Sequence, residues 1–235
     1  MQIVGYRSAG FQFKTKLNCN LAVLLLLPLL LLLFSSGCSK RDENIRAGFE
    51  SGQYRNVVAF GDSIVEGYRQ PEGWPEILER ELSSRYGMIR VTNAGVSGNT
   101  AADGLRRLQK DVLVHRPDIV LISFGLNDMK NGVSTAQFKD DLTKIVTKVS
   151  ESGAMPVLLT TTRLQQGVSM LARLDPAPYN ETIRTLADEG GFILIDVNDE
   201  FKGLNTTKYL MDAAHPNGEG YLRLAGIIRE GLIGE

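Results

Sequence analysis

The sequence is poor in cysteine and histidine and nearly balanced in charge, and each scarcity excludes something. Two cysteines, Cys19 and Cys38, cannot build the disulfide framework of a small secreted scaffold. Two histidines, His115 and His215, leave no material for a His-rich metal site. Lys and Arg number 26 against 27 Asp and Glu, a formal net charge of -1. Without a basic excess to neutralise a phosphate backbone, no nucleic acid is expected as a partner. The 24 glycines follow no three-residue period, which excludes a collagen-like chain. No G-x-x-x-x-G-K-[ST] stretch exists, and Gly95-x-x-Gly98 is only a fragment of a dinucleotide loop. What is present, 235 residues at 43% hydrophobic and 23% charged, suits one packed domain with an appendage.

The appendage is at the amino end. Leu21 to Phe34 (LAVLLLLPLLLLLF) is an apolar run of 14 residues, preceded by Arg7, Lys14 and Lys16. No acidic residue stands before Asp42. A basic arm, an apolar stretch too short for the roughly 18–20 residues of a membrane span, and then small residues predict an export signal over residues 1–37. Ser35-Ser36-Gly37-Cys38 follows and resembles a bacterial lipobox, which implies lipidation of Cys38. Ser35 stands where such motifs usually carry Leu, so the competing expectation is a cysteine that only flanks a cleavage site. The polar stretch 38–55 is expected to be a tether, which would hold the protein in a bacterial envelope or periplasm.

Beyond the tether, strand-like and helix-like patterns alternate. Asn56–Phe60, Met88–Thr92, Asp118–Phe124, Met155–Thr160 and Phe192–Val197 are short apolar runs that predict strands. Helices are predicted over Glu72–Tyr86, from Thr100 through Val112, and over Ser134–Ser152, Ala177–Glu189 and Asn217–Leu232. Thr100-x-x-Asp103 is a capping pattern at the start of the second. Five strands alternating with helices imply an α/β fold, three-layer α/β/α, with a parallel sheet covered on both faces. Ligands in such sheets bind at the carboxyl ends of the strands. The loops at Gly61, Asn93, Gly125, Thr161 and Asn198 are therefore the places to look.

Three of those loops carry distinctive residues. Gly61-Asp62-Ser63 follows the first strand, where a turn into a helix exposes a serine Oγ beside backbone N–H donors. Asn93-Ala94-Gly95-Val96-Ser97-Gly98 follows the second, and its glycines allow backbone to approach a ligand. Gly125-Leu126-Asn127-Asp128 follows the third and offers a neutral amide suited to a developing oxyanion. Near the carboxyl end, Asp212-x-x-His215 pairs a carboxylate with an imidazole. His115 ends a predicted helix before Arg116-Pro117, where a surface role is expected. Each of these pieces is also what ordinary turns and caps use.

Taken in order, the four pieces resemble the four blocks of the SGNH hydrolases, also called the GDSL esterase/lipase family. The blocks are Gly61-Asp62-Ser63, Asn93-x-Gly95, Gly125-x-Asn127-Asp128 and Asp212-x-x-His215-Pro216. The resemblance spans Asn56 to the carboxyl end and is strongest to the bacterial lysophospholipase/thioesterase/arylesterase branch. It implies a flavodoxin-like five-stranded fold over residues 56–235 and hydrolysis of a small acyl-ester substrate. It implies Ser63 as nucleophile, His215 as base, Asp212 as its orienting carboxylate, and an oxyanion hole of Ser63, Gly95 and Asn127. No metal or organic cofactor is called for, and Asp62 and Asp128 are expected to stabilise turns. Leu126 departs from the glycine more usual in that branch and bears on substrate preference. Two other readings stay open: a non-catalytic, envelope-anchored binding protein on the same fold, and a carbohydrate O-acetyl esterase.

Arg163 to Pro178 (RLQQGVSMLARLDPAP) follows the fourth strand and exceeds the usual connection of about 4–6 residues. Val168, Met170, Leu171 and Leu174 give it an apolar side. It is expected either to wall the substrate site or to pack on the domain as a short helix.

Overall fold

In the computed structural model the described residues are 45–165 and 174–234. The expected export signal and lipid-anchored Cys38 lie outside them, as do Val168, Met170 and Leu171.

Residues 45–50 are helical, and Ile45 and Phe49 are fully buried. Phe49 stacks on Tyr86 at 5.6 Å and meets Tyr54 edge-on at 5.9 Å. The Arg55 and Asn56 N–H groups both donate to Asp118 Oδ2, at 2.7 and 2.8 Å. The tether expected over 38–55 is thereby corrected from residue 45 onward. Polar spacing hid two apolar side chains four residues apart, which is one helical face.

Five parallel strands follow among the described residues: β1 (Asn56–Gly61), β2 (Arg90–Gly95), β3 (Ile119–Ser123), β4 (Met155–Leu159) and β5 (Ile193–Ile195). Their order is β2-β1-β3-β4-β5, the flavodoxin-like arrangement. Alternate strand residues enter two separate cores. Val57, Ala59, Ile119, Leu121 and Val157 face one, while Val58, Phe60, Val120, Ile122 and Leu158 face the other.

The helices are α1 (Ser63–Glu66), α2 (Trp74–Tyr86), α3 (Ala101–Asp111), α4 (Leu126–Lys130), α5 (Thr135–Glu151), α6 (Ala177–Gly190), α7 (Val197–Glu200), α8 (Thr206–Tyr209) and α9 (Gly218–Ile233). Helices α2 and α9 cover the first face, and α3, α5 and α6 the second. Thr100 and Asp103 form a reciprocal capping box at α3. Strand β5 is shorter than expected, because Asp196 accepts the Asp199 N–H and starts α7. Among the described residues no helix is long and apolar enough to cross a membrane.

Candidate active site

Strand β1 lies between β2 and β3, so the chain crosses to opposite sides of it before and after β2. A crevice opens at the carboxyl ends of the strands where connections diverge in this way. Ser63 stands there as the first residue of α1. Its turn is fixed by Asp62, whose Oδ1 accepts the Ile64 N–H at 2.9 Å. A first-turn residue has no intrahelical acceptor for its own N–H. That leaves the Ser63 donor available at the serine hydroxyl.

The imidazole comes from the far end of the chain. Leu210 and Pro216 form an antiparallel bridge, and the Met211 N–H donates to the His215 carbonyl at 2.9 Å. This closes a tight loop in which Asp212 Oδ1 accepts the N–H groups of Ala214 and His215, at 2.9 and 2.8 Å. His215 Nδ1 lies 2.8 Å from Asp212 Oδ2, and Nε2 lies 3.0 Å from Ser63 Oγ. Burial raises the Asp212 pKa, but the two backbone donors and the imidazole outweigh it and hold the carboxyl below its usual range. An ionised Asp212 facing Nδ1 favours the tautomer in which Nε2 is free to accept from serine. Tyr68 stacks on the imidazole, with centroids 4.1 Å apart and planes 28° apart.

A cavity of about 240 Å³ opens over this chain of contacts, lined among others by Ser63, Tyr68, Gly98, Asn127, Lys130 and His215. Asn127 is the second residue of α4, and its Nδ2 donates to Asp62 Oδ2 at 3.2 Å and to the Asn99 carbonyl at 3.1 Å.

Gly95, expected in the oxyanion hole, does not line this cavity. Its N–H is taken by Asn93 Oδ1 at 3.0 Å. A Cβ there would come within 2.2 Å of the Glu66 N atom, so Gly95 is where β2 packs against α1. Gly98 reaches the cavity instead, at φ +80, a left-handed conformation that glycine adopts without strain. Gly98 stands in the same Asn93–Gly98 stretch, but the family resemblance is matched on Asn93-x-Gly95. The strand runs on to Gly95.

The other expected residues divide by role. Asp62 and Asp128 are buried; Asp128 accepts the Ala101 N–H at the start of α3 at 3.0 Å. Burial pushes Asp62 up to about 7 and Asp128 up to about 6. His115 is exposed on the approach to the amino end of β3, away from the crevice. No group of three or more His, Cys, Asp or Glu side chains poised to hold a metal occurs among the described residues. Tyr68 and Lys130 were not foreseen. Lys130 lies three residues after Asn127 on α4, a spacing that returns a side chain to one face, whereas Tyr68 lies past the end of α1, where spacing gives no signal.

The GDSL-like lipase/acylhydrolase family model matches residues 59–223. An uncharacterised lipoprotein of Bacillus subtilis, YqeF, is 32% identical over 136 residues, covering 52% of this chain and 55% of that protein. The arylesterase of Vibrio mimicus is 33% identical over 105 residues, covering 44% of this chain and 52% of that enzyme. The chain thus spans about half the length of these curated relatives. A lipase/acylhydrolase from Enterococcus faecalis superposes with a TM-score of 0.67 at 25% identity, over 77% of this chain and 96% of that one.

Proposed function

The chain belongs to the GDSL-like lipase/acylhydrolase family, and from that premise we propose a serine ester hydrolase acting on small acyl esters. The observation that carries the reading is one line of contacts, Asp212 to His215 Nδ1 at 2.8 Å and His215 Nε2 to Ser63 Oγ at 3.0 Å, open to a cavity.

Ser63 Oγ attacks the acyl carbonyl carbon while His215 Nε2 takes the hydroxyl proton. The carbonyl π pair moves onto oxygen, which meets the N–H groups of Ser63 and Gly98 and the Asn127 amide, one of whose two present bonds, to Asp62 or to the Asn99 carbonyl, is exchanged for it. His215 then passes its proton to the departing alkoxide, leaving an acyl ester on Ser63. Water, deprotonated by His215, reverses the sequence and releases the carboxylic acid. Asp212 stays ionised and holds the ring. Tyr68 packs on one face of the imidazole and limits its rotation. No step requires a metal or an organic cofactor.

Hydrolysis of p-nitrophenyl acetate and labelling by a fluorophosphonate probe test the reading. Ser63→Ala is expected to lower kcat by about 10⁴-fold or more and to abolish labelling, with Tm unchanged. Retention of either signal in that variant overturns the assignment. A folded wild type that neither turns over nor labels would instead be the non-catalytic binding protein.

The same proposal includes export and anchoring. The Leu21–Phe34 run and Ser36-Gly37-Cys38 support it, and so does the lipoprotein from Bacillus subtilis among the relatives. Mass spectrometry of the mature amino terminus is expected to find a diacylglyceryl group on Cys38, and Cys38→Ser to release the protein from membranes. An intact Met1 on a cytoplasmic protein refutes export. An exported but unlipidated terminus refutes only the anchor.

A further inference from the structure

Helix α3 carries Arg107 on the face that also holds Gly104 and Leu108, against the sheet. The residue is 8% exposed. A guanidinium removed from water is destabilising unless its donors are met. Here Nη2 donates to the Gly61 carbonyl at 2.7 Å, Nη1 to the Ala94 carbonyl at 2.8 Å and, more distantly, to Asp111 Oδ2 at 3.4 Å, and Nε to Asn99 Oδ1 at 2.7 Å. The guanidinium carbon also lies 4.7 Å from the centroid of the Phe60 ring.

These acceptors stand next to the groups assigned above to the oxyanion. Gly61 closes β1 two residues before Ser63, and Ala94 lies near the end of β2. Asn99 follows Gly98, and its carbonyl receives the Asn127 amide at 3.1 Å. The other flank of the same loop is tied to α1. Glu66 Oε2 accepts the Ser97 N–H at 3.1 Å and also the Ser97 hydroxyl. Arg107 itself does not line the cavity.

We propose that Arg107 is the positioning residue of the oxyanion pocket: one planar cation sets the spacing between the Ser63 turn and the Gly98 loop. The proposal rests on the serine-hydrolase reading and adds a residue that never touches substrate. Lysine cannot replace it, because a point ammonium lacks the fixed fork that reaches three acceptors in three directions. Its loss is expected in kcat and not in KM, since the oxyanion exists only after attack.

The test uses the full chain with Arg107→Lys, Asn99→Ala and the double variant, read by kcat and KM on p-nitrophenyl acetate, Tm, and amide hydrogen exchange. Asn99→Ala removes one tie without burying a new charge. It is expected to lower kcat by about 10²-fold, the scale of a 1 Å misplacement, with KM held and Tm lowered only by the cost of one unmet Nε donor. Exchange at Ser97 and at position 99, whose N–H groups are held by Glu66 and by the Val96 carbonyl, is expected to quicken at least tenfold, while β3 amides stay protected. Arg107→Lys should do the same, and the double variant should be no slower than the slower single one.

Wild-type kcat with unaltered exchange in Asn99→Ala overturns the proposal. So does a loss that multiplies in the double variant, or one that tracks only the fraction folded. If Arg107→Lys fails to fold, Asn99→Ala decides alone. Exchange is read without turnover, so an inactive wild type overturns the hydrolase reading while the exchange ratio still decides the clamp.

Discussion

The carboxyl edge of the sheet is built differently in its two halves. Around β1, β2 and β3 almost every polar side chain is committed to another loop. Asp62 accepts from Ile64 and Asn127, Asp128 from Ala101, Glu66 from Ser97, and Arg107 spans three segments. Beyond β4 and β5 the ties among the described residues run from the strand ends to α6 and to the start of α7. Thr160 donates to Asp196, which also pairs with Arg184 at 2.7 Å, and Thr161 donates to Asn180. Above them lies a second cavity of about 340 Å³, lined by Arg163, Leu164, Asp175, Asn198 and Leu204 among others. Among the described residues, the Nε of Arg163 and the Nδ2 of Asn180 are buried without hydrogen-bond partners. One half is closely tied around the proposed nucleophile, and the other has, among the described residues, a cavity and two buried donors without partners. Rate is expected to depend on the first half, and choice of ester on the second.

The largest effect expected from that contrast is a pH-dependent loss of stability in the committed half. Burial raises Asp62 from 3.8 to about 7. The folded state therefore holds a proton that the unfolded chain has released between about pH 4 and 7. Stability is greatest below that window, falls as pH rises through it, and levels off above about 7. The full change is bounded at ~4 kcal/mol by three pKa units. Asp128, raised to about 6, contributes to the lower part of the window only. Urea unfolding of wild type and Asp62→Asn at pH 5, 6 and 8 separates the two. The wild type is expected to weaken between pH 6 and 8, and Asp62→Asn to stay level there. Equal slopes in both proteins would place the cost elsewhere and break the contrast between the halves.

The same contrast bears on what could be read from sequence. The Gly61-Asp62-Ser63 turn, the Asn127 loop and the Asp212–His215 pair are short and local, so residue types at fixed spacing marked them as candidates, and the family resemblance supplied their proposed roles. The structure brings Ser63 and His215 together across 152 positions. Gly98 was missed because choosing between two glycines needs the end of β2, and strand ends are set by pairing with β1. Arg107 was invisible for a related reason. On a helix rich in charge it looks like any solvated arginine, and only its three carbonyl and amide acceptors, distant in sequence, mark it as buried. Ile45 and Phe49 were lost in a polar stretch because a single helical turn shows too little periodicity to register.

The smallest effect belongs to the open half. Residues 163–178 leave β4 at the same edge as Ser63, and their described ends, Arg163, Leu164, Asp175, Pro176 and Ala177, line the second cavity. Leu174 is partly buried against the first of the two cores. If the apolar side of this segment meets an acyl chain, Met170→Ala and Leu171→Ala each remove contact with a methylene or two of substrate. At ~0.8 kcal/mol per buried methylene, two contacts come to ~1.6 kcal/mol, or roughly tenfold in kcat/KM. An acetyl group is too short to reach such a wall, so the loss should appear on hexanoyl and longer esters. The quantity to measure is the ratio of kcat/KM for p-nitrophenyl hexanoate over acetate, with Tm alongside. A tenfold fall in that ratio at constant Tm sharpens the division of labour along the edge. A constant ratio with a Tm several degrees lower would make the segment part of the core. Selectivity would then rest with the nearer rim, Leu126 and Lys130, inside the half that already carries the chemistry.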